Sequence, residues 1–197
     1  LAETGLLLGR ADSARTAAER ATRSQSPSER AFFLLGSASL EQADSAGAQG
    51  ALEKSLVINP DYGPALALLA RLHESSGRLQ AALGFYNRAR AAMPENPDLL
   101  TDLGALLVRL GDYGSGGEAL EKASGMTGAC WRTWFNLGVA RQMSGQTQKA
   151  QEAYERAVSM EGASAEVFNN LGIVHFSLQQ YEKSCRDYEK ALALDSL

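Results

Sequence analysis

The chain has 197 residues, of which 45% are hydrophobic and 21% charged, and its formal net charge is −4. This composition predicts a folded core and excludes a disordered, collagen-like or disulfide-scaffold protein. The acidic balance argues against nucleic acid as a partner, and the apolar runs are too short for a membrane span.

A self-similar pattern with a period of 34 residues runs to the C-terminus without a gap. A partial repeat at residues 1–28 is followed by five repeats, at residues 29–62, 63–96, 97–130, 131–164 and 165–197. Position 7 of every repeat is leucine, and positions 8, 20 and 27 always hold Gly, Ala or Ser. Small residues at fixed positions between bulky ones predict helices that pack at close range.

Each repeat contains two stretches of 3.6-residue apolar periodicity, each about 12 to 14 residues long. Breaks between and after these stretches fall at positions 15 and 32, at Gly9, Gly77, Gly111 and Gly145, and at Pro60, Pro94, Gly128 and Gly162. Pro64 and Pro97 stand where a first helix begins, since the missing N–H costs nothing there. The run Gly114–Gly117 is interpreted as a turn leading into a second helix, and Gln179 replaces the glycine of the last repeat.

These positions resemble the signature of the tetratricopeptide repeat, which has a bulky residue, Leu-Gly, a small residue, an aromatic residue, Ala and Pro in this order. The fullest matches are Leu66, Leu69, Ala70, Gly77, Ala82, Tyr86, Ala89 and Pro94 in one repeat, and Trp134, Leu137, Gly138, Gly145, Ala150, Tyr154 and Ala157 in another. The resemblance covers the whole chain. It implies an all-α fold, an α-solenoid in which antiparallel helix pairs form one right-handed superhelical array over residues 1–197.

Apolar faces at the two ends of such an array need a cap. The partial repeat starts inside a first helix, and no polar helix follows the last repeat. We therefore expect the natural protein to continue in both directions, or its ends to pair with another copy. The compartment stays unassigned, because Cys130 and Cys185 permit a disulfide without requiring one and no signal-peptide pattern is present.

Few residues suggest catalysis, metal binding or a cofactor. His73 and His175 share position 11, where the resemblance implies a packing aromatic residue. Cys130 and Cys185 are interpreted as small buried hydrophobic residues. The run Gly114–Gly117 lacks the Lys-Ser/Thr of a phosphate loop. Together with the histidines and cysteines, it leads us to predict no catalytic residue, no metal ligand and no cofactor.

The resemblance implies that positions 2, 5, 6, 9, 12 and 13 of the first helices line a concave groove that binds ligands. In the last three repeats these positions are Asp98, Thr101, Asp102, Ala105, Val108 and Arg109; Arg132, Phe135, Asn136, Val139, Gln142 and Met143; and Glu166, Asn169, Asn170, Ile173, Phe176 and Ser177. Asn136 and Asn170 share position 6, and an amide can donate to and accept from a peptide bond. Two such rungs predict a site for an extended peptide; the alternative is that each asparagine only bonds a neighbouring helix.

Other groove residues complete this predicted site. Apolar pockets for alternate side chains of a peptide are expected from Phe135, Val139, Ile173 and Phe176. Asp102 is a third rung of the asparagine series, and Arg109 and Arg132 are suited to acidic side chains of a partner. Position 5 holds no lysine, so the carboxylate clamp that this family uses for chaperone tails is absent.

The sequence therefore predicts a non-catalytic protein–protein interaction scaffold that binds an extended peptide or a partner helix in its C-terminal half. One alternative is the substrate-selecting region of a larger enzyme, such as a glycosyltransferase. Another is a self-assembling scaffold for pilus, secretion or organelle assembly, with homo-oligomers formed through the uncapped ends.

Overall fold

The computed structural model describes residues 12–13 and 15–195. Residues 15–22 are helical, and the bounded helices after them are α1 (Glu29–Glu41), α2 (Ser45–Ile58), α3 (Gly63–Ser75), α4 (Leu79–Ala92), α5 (Pro97–Arg109), α6 (Tyr113–Ser124), α7 (Trp131–Met143), α8 (Thr147–Val158), α9 (Ala165–Ser177) and α10 (Tyr181–Asp195). No strand occurs among the described residues. Gly9 and the rest of residues 1–11 lie outside them.

The chain divides into two compact units, Leu1–Pro94 and Glu95–Leu197. In the N-terminal unit α1 pairs with α2, α3 pairs with α4, and α2 packs against α3. In the C-terminal unit the pairs are α5–α6, α7–α8 and α9–α10, which pack on one another through α6–α7 and α8–α9. The predicted all-α fold of stacked helix pairs is confirmed.

The first helices begin at the first residue of their 34-residue repeats, from Glu29 in α1 to Ala165 in α9. Side-chain caps fix some of these starts: Ser28 accepts from the Ala31 N–H, and Asn96 accepts from the Leu99 N–H. Proline lies in the first turn of α3 and of α5, as predicted.

The turn between the two helices of a pair contains a residue with positive φ at position 15. Gly77, Gly111 and Gly145 have φ values of 73°, 85° and 74°, and Ala43 and Gln179 occupy the same conformation at 58° and 61°. A side chain at such a φ costs on the order of 1 kcal/mol. The repeat therefore conserves the geometry of this turn even where glycine is missing.

The run Gly114–Gly117 is helical, which corrects its interpretation as a turn. α6 begins at Tyr113, and the Asp112 carboxylate accepts a hydrogen bond from the Ser115 N–H. Hydrogen bonds from Ser115 hold the pKa of Asp112 below its ordinary value. Gly116 is needed for close packing, since a Cβ atom there would lie 3.0 Å from the Gly104 carbonyl oxygen.

Small residues at position 8 face bulky residues at position 24 across each helix pair, as the pattern predicted. A Cβ atom added at Gly138 would lie 2.5 Å from the Tyr154 ring, and one at Gly104 would lie 2.5 Å from Leu120. Tyr154 and Leu120 are fully buried. The helix axes can approach this closely only because position 8 carries no large side chain.

His73 is part of the core of the N-terminal unit. Its ring stacks on Phe85 with 5.0 Å between the centroids, and its Nδ1 atom is buried without a hydrogen-bond partner among the described residues. Burial, followed by the charge of Arg78, lowers the pKa of His73, and the smaller effect of Glu53 opposes them. The fold thus favours the neutral imidazole.

We expect the N-terminal unit to lose stability on acidification. Because the pKa of His73 is lower in the folded state, the unfolded chain takes up the proton first. Stability is complete above the ordinary histidine pKa of about 6.5 and falls as the pH drops below it. Urea midpoints from circular dichroism between pH 5 and pH 8 should fall further for the wild type than for His73→Phe. Parallel pH profiles for the two proteins would contradict this assignment.

Candidate peptide-binding groove

The predicted groove residues lie on the first helices of the C-terminal unit, α5, α7 and α9. The side chains at positions 2, 5, 6, 9, 12 and 13 of these helices are called the groove below. In the first half of each helix they are polar except for Phe135, and in the second half each helix carries two apolar residues and one polar residue.

Polar contacts connect α5 with α7. The Arg132 guanidinium donates to the Asp102 carboxylate at 3.1 Å. The Asn136 amide donates to the Arg132 carbonyl oxygen, four residues earlier on the same helix, at 2.9 Å. Asp102, Arg132 and Asn136 are therefore brought together, with Asp102 already paired to an arginine of its own chain.

Asn170 lies beside the buried hydroxyl group of Tyr154. Tyr154 donates to the Gln142 amide oxygen at 2.8 Å, and a hydrogen bond also joins it to the Asn170 side chain. Burial strongly raises the pKa of Tyr154; the hydrogen bond with Asn170 opposes this, and the charge of Glu166 adds to it. The hydroxyl thus stays protonated.

Three groove side chains with large apolar surfaces are exposed. Phe176 is 60% exposed, Met143 57% and Ile173 39%. The Phe176 ring packs edge-to-face on Tyr181, the first residue of α10, with 5.5 Å between the centroids. Ile173 and Phe176 lie three residues apart on α9 and Met143 lies at the end of α7, and all three leave apolar area outside the core.

Comparison of position 12 between repeats shows that the exposure of Phe176 is unusual. In two other repeats this position holds Glu74 or Gln142, which accepts the hydrogen bond of a buried tyrosine at position 24. In the repeat from Pro97 the same position is the buried Val108. Phe176 fills neither structural role, although the last repeat also has a tyrosine, Tyr188, at position 24.

Several groove residues lie deeper than predicted. Thr101 is buried and shares a 2.9 Å hydrogen bond with Thr133, and Val108 belongs to the core. Phe135 and Val139 are half-buried and pack against the core around Tyr154. Arg109 is exposed at the end of α5.

Sequence reasoning missed the partner of His175. The imidazole Nδ1 atom lies 2.6 Å from an oxygen of Asp187, and the two residues are only 3% and 7% exposed. Position 23 holds Phe85, Ala119 or Ala153 in other repeats. The acidic residue Asp187 at this otherwise apolar position was the sequence signal for a buried partner of His175. The pair joins α9 to α10.

Other sequence-based assignments have mixed outcomes. Both cysteines are free thiols; Cys130 is half-buried, but Cys185 is exposed, which corrects its interpretation as buried. Among the described residues, no group of three or more His, Cys, Asp and Glu side chains is placed to hold a metal ion. None of the described helices is long and apolar enough to cross a bilayer. Tyr181 was also missed, because position 17 lies outside the six positions assigned to the groove.

Comparison with known proteins supports the repeat pattern along most of the chain. Tetratricopeptide repeat models match residues 6–64, 34–97, 132–163 and 165–196. No curated protein matches the sequence.

Solved structures share this fold at low sequence identity. MamA (41-end) from Desulfovibrio magneticus RS-1 is 17% identical, with 88% of this chain and 98% of that chain covered and a TM-score of 0.76. Pseudomonas aeruginosa PilF is 23% identical, with 84% and 75% covered and a TM-score of 0.74. A tetratricopeptide repeat protein from Parabacteroides merdae is 17% identical, with 98% and 75% covered and a TM-score of 0.73. The chain belongs to the tetratricopeptide repeat family.

Proposed function

We propose that the chain is a non-catalytic protein-interaction scaffold whose groove binds an extended peptide segment of a partner protein. The observation that carries the proposal is the exposed apolar surface of Met143, Ile173 and Phe176. Large apolar side chains exposed three residues apart on one helix face, as Ile173 and Phe176 are, are typical of a binding surface. Phe176 adds to this because it replaces a residue type that supports the fold in other repeats.

The asparagines provide the polar part of the proposed site. The Asn136 side chain bonds to the Arg132 carbonyl oxygen, and Asn170 lies beside the Tyr154 hydroxyl group. An amide offers two donor hydrogens and an accepting oxygen, so one internal hydrogen bond leaves capacity for a ligand. Pre-positioned amides lower the entropy cost of holding a peptide backbone.

The chemistry of a partner follows from these residues. Apolar side chains of the peptide would pack on Phe176, Ile173 and Met143, while its backbone bonds to the asparagines. Arg132 is paired with Asp102, so a strongly acidic peptide would have to compete with an internal carboxylate. We therefore propose a peptide with alternate apolar side chains and little net charge.

Substituting both asparagines is expected to weaken such a peptide by about 1 to 3 kcal/mol, as two buried hydrogen bonds are lost. Peptides of 12 random residues would be selected by display on the wild-type chain and then titrated calorimetrically. The comparison is between wild type, Asn136→Ala/Asn170→Ala and Phe176→Ser. Asn87→Ala, an exposed asparagine on α4, is the matched control. Recovery of no binding peptides, or equal affinities for all four proteins, would refute groove binding.

A further inference from the structure

A hollow of about 180 Å³ lies between α6, α7 and the start of α8, and none of the six groove positions lines it. The buried residues Leu137 and Ala140 of α7 line one part of it, and Gly114 and Gly117 of α6 line another. We call it the Gly117 hollow. Because α9 packs on the second of the two repeats that form it, the hollow belongs to an internal repeat interface of the C-terminal unit.

The packing of α6 does not require glycine at Gly114 or Gly117. A Cβ atom added at Gly117 would lie 3.8 Å from the Ala140 methyl group, and one at Gly114 would lie 3.8 Å from an Asp112 carboxylate oxygen. Both are ordinary contact distances, unlike the 3.0 Å that a Cβ atom at Gly116 would meet. Glycine also weakens a helix. The open space at these two residues therefore has no role in the core, and it lets a ligand approach the α6 backbone.

Two other repeat interfaces show which side chain stands at the position of Gly117. The equivalent residues at position 21 are Gln49 of α2 and Gln151 of α8, and both are half-buried. The Gln49 amide donates to the Glu53 carboxylate at 2.8 Å. The Gln151 amide donates to the Glu155 carboxylate at 2.8 Å in the same way. Glutamine at position 21 thus places an amide on the glutamate at position 25, four residues later on the same helix.

The glutamate at position 25 also meets a nitrogen-bearing side chain of the next repeat. Glu155 lies 3.7 Å from His175, and Glu121 lies 3.3 Å from Arg141; His175 and Arg141 both occupy position 11. At the hollow, the glutamate and its partner from the next repeat are therefore present. The amide is missing, because position 21 is Gly117. The hollow corresponds to the place of an amide that this repeat does not supply.

The charges and the size of the hollow restrict what it can hold. The acids Glu118 and Glu121 line it together with the bases Arg141 and Lys149. Arg141 donates both to Glu121 and to the Lys149 carbonyl oxygen, so its guanidinium is held in place. A cationic or an anionic ligand would each meet two like charges, whereas a neutral donor group meets none. At about 180 Å³ the hollow is smaller than the roughly 300 to 1,000 Å³ of sites for drug-sized molecules, and this suits a single side chain.

We propose that the Gly117 hollow binds the side chain of a glutamine residue that belongs to a partner protein. The amide of that glutamine donates to Glu121, as the chain's own glutamines donate to position 25 in two other interfaces. Its aliphatic part packs on Leu137 and Ala140. The hollow is a second interaction site of the scaffold, and it does not depend on peptide binding in the groove.

A capped amino acid tests this site directly. N-acetyl-glutamine methylamide imitates a glutamine residue within a chain, and it would be titrated into the ¹⁵N-labelled 197-residue chain. NMR spectra are expected to show saturable shifts of the Gly114, Gly117 and Ala140 amide signals. The dissociation constant should be on the order of 1 mM, because one side chain makes few contacts. The capped glutamate and lysine compounds should each bind at least about fivefold more weakly, because each meets like charges.

Gly117→Gln supplies the missing amide from the chain itself. This variant should abolish the titration, because its own side chain then occupies the hollow. Gly84→Gln on α4 is the matched control, since a Cβ atom at Gly84 meets nothing within 4 Å, and it should leave the titration unchanged. Both variants are expected to fold, because glutamine forms helices better than glycine does. Dispersed NMR spectra check this for each protein.

Several results would overturn the proposal. They are the absence of shifts at the hollow, equal binding of the three capped compounds, an unchanged titration of Gly117→Gln, and a lost titration of Gly84→Gln. Free glutamine that binds more than about tenfold tighter than the capped compound would assign the hollow to the amino acid itself. Asn136→Ala/Asn170→Ala should leave the titration unchanged, and a loss would assign the compound to the groove. These results are independent of the peptide titrations that test the groove.

Discussion

Replacing His175 by leucine is expected to cost the C-terminal unit about 3 to 5 kcal/mol of unfolding free energy. The substitution leaves the Asp187 carboxylate buried without the imidazole that lies 2.6 Å from it. Glu155, the other charged group within 4 Å of His175, is also an acid and cannot compensate. Asp187→Ala should cost less, about 1 to 3 kcal/mol, because the remaining His175 ring loses one hydrogen-bond partner and still has Glu155 beside its Nε2 atom.

The double variant His175→Leu/Asp187→Ala should lose far less than the sum of the two single changes. Replacing both members of a buried polar pair by apolar residues is often neutral or stabilising. The chain itself contains this arrangement, since Leu107 and Ala119 hold the same two positions in the pair α5–α6. The pair α5–α6 therefore shows which apolar residues fit at these two positions.

Urea unfolding followed by tryptophan fluorescence provides the measurement. Both tryptophans, Trp131 and Trp134, lie in the C-terminal unit, so their signal reports on the unit that contains the pair. A coupling energy near zero in this double-mutant cycle would show that the two residues act independently. The assignment of a stabilising buried pair would then be wrong.

Tyr154→Ala is expected to destabilise the same unit by about 3 to 5 kcal/mol. Its ring is fully buried and packs 6.0 Å, centroid to centroid, from that of Phe135. Removal would open a cavity and would leave the Gln142 amide without its hydrogen bond. Tyr181→Ala, an exposed tyrosine in the same unit that loses only its ring contact with Phe176, is the control and should change stability by no more than about 1 kcal/mol.

Gly138 offers a test of the close helix approach that surrounds Tyr154. Gly138→Ala alone should cost about 1 to 3 kcal/mol, because the new Cβ atom would lie 2.5 Å from the tyrosine ring. With Tyr154→Ala the ring is gone and the added methyl group partly fills the cavity. The double variant should therefore be more stable than the sum of the single effects predicts. Additive losses would mean that position 8 is small for another reason.

The repeat pattern predicted helix positions well because it combines several independent local signals. Asn96 caps α5, Pro97 is its first residue, and Gly111 has positive φ in the turn that follows it. The helix boundaries given by the cap, the proline and the glycine are the same as those given by the apolar periodicity. The run Gly114–Gly117 was wrongly predicted to be a turn. Low helix propensity was overridden there by the Asp112 cap and by the contact of Gly116 with Gly104.

The groove was predictable only in outline. Helical periodicity places Phe176 and Ile173 on the groove side of α9, but it determines neither their exposure nor the burial of Thr101. Thr101 lies within reach of Thr133, 32 residues later, and that hydrogen bond draws both side chains inward. Likewise, no local pattern reveals that Asn170 lies beside the Tyr154 hydroxyl group.

The sequence by itself determined the helix pairs, their 34-residue period and the small-against-large packing, because these depend on residues close in the chain or on one repeated contact. Only the tertiary structure decided which side chains remain exposed and which find partners, as with the pair of His175 and Asp187 and the surface of Phe176. Such outcomes depend on contacts between residues that are distant in sequence. A periodic pattern specifies a position on a helix, whereas burial and charge pairing depend on what the neighbouring helix brings to that position.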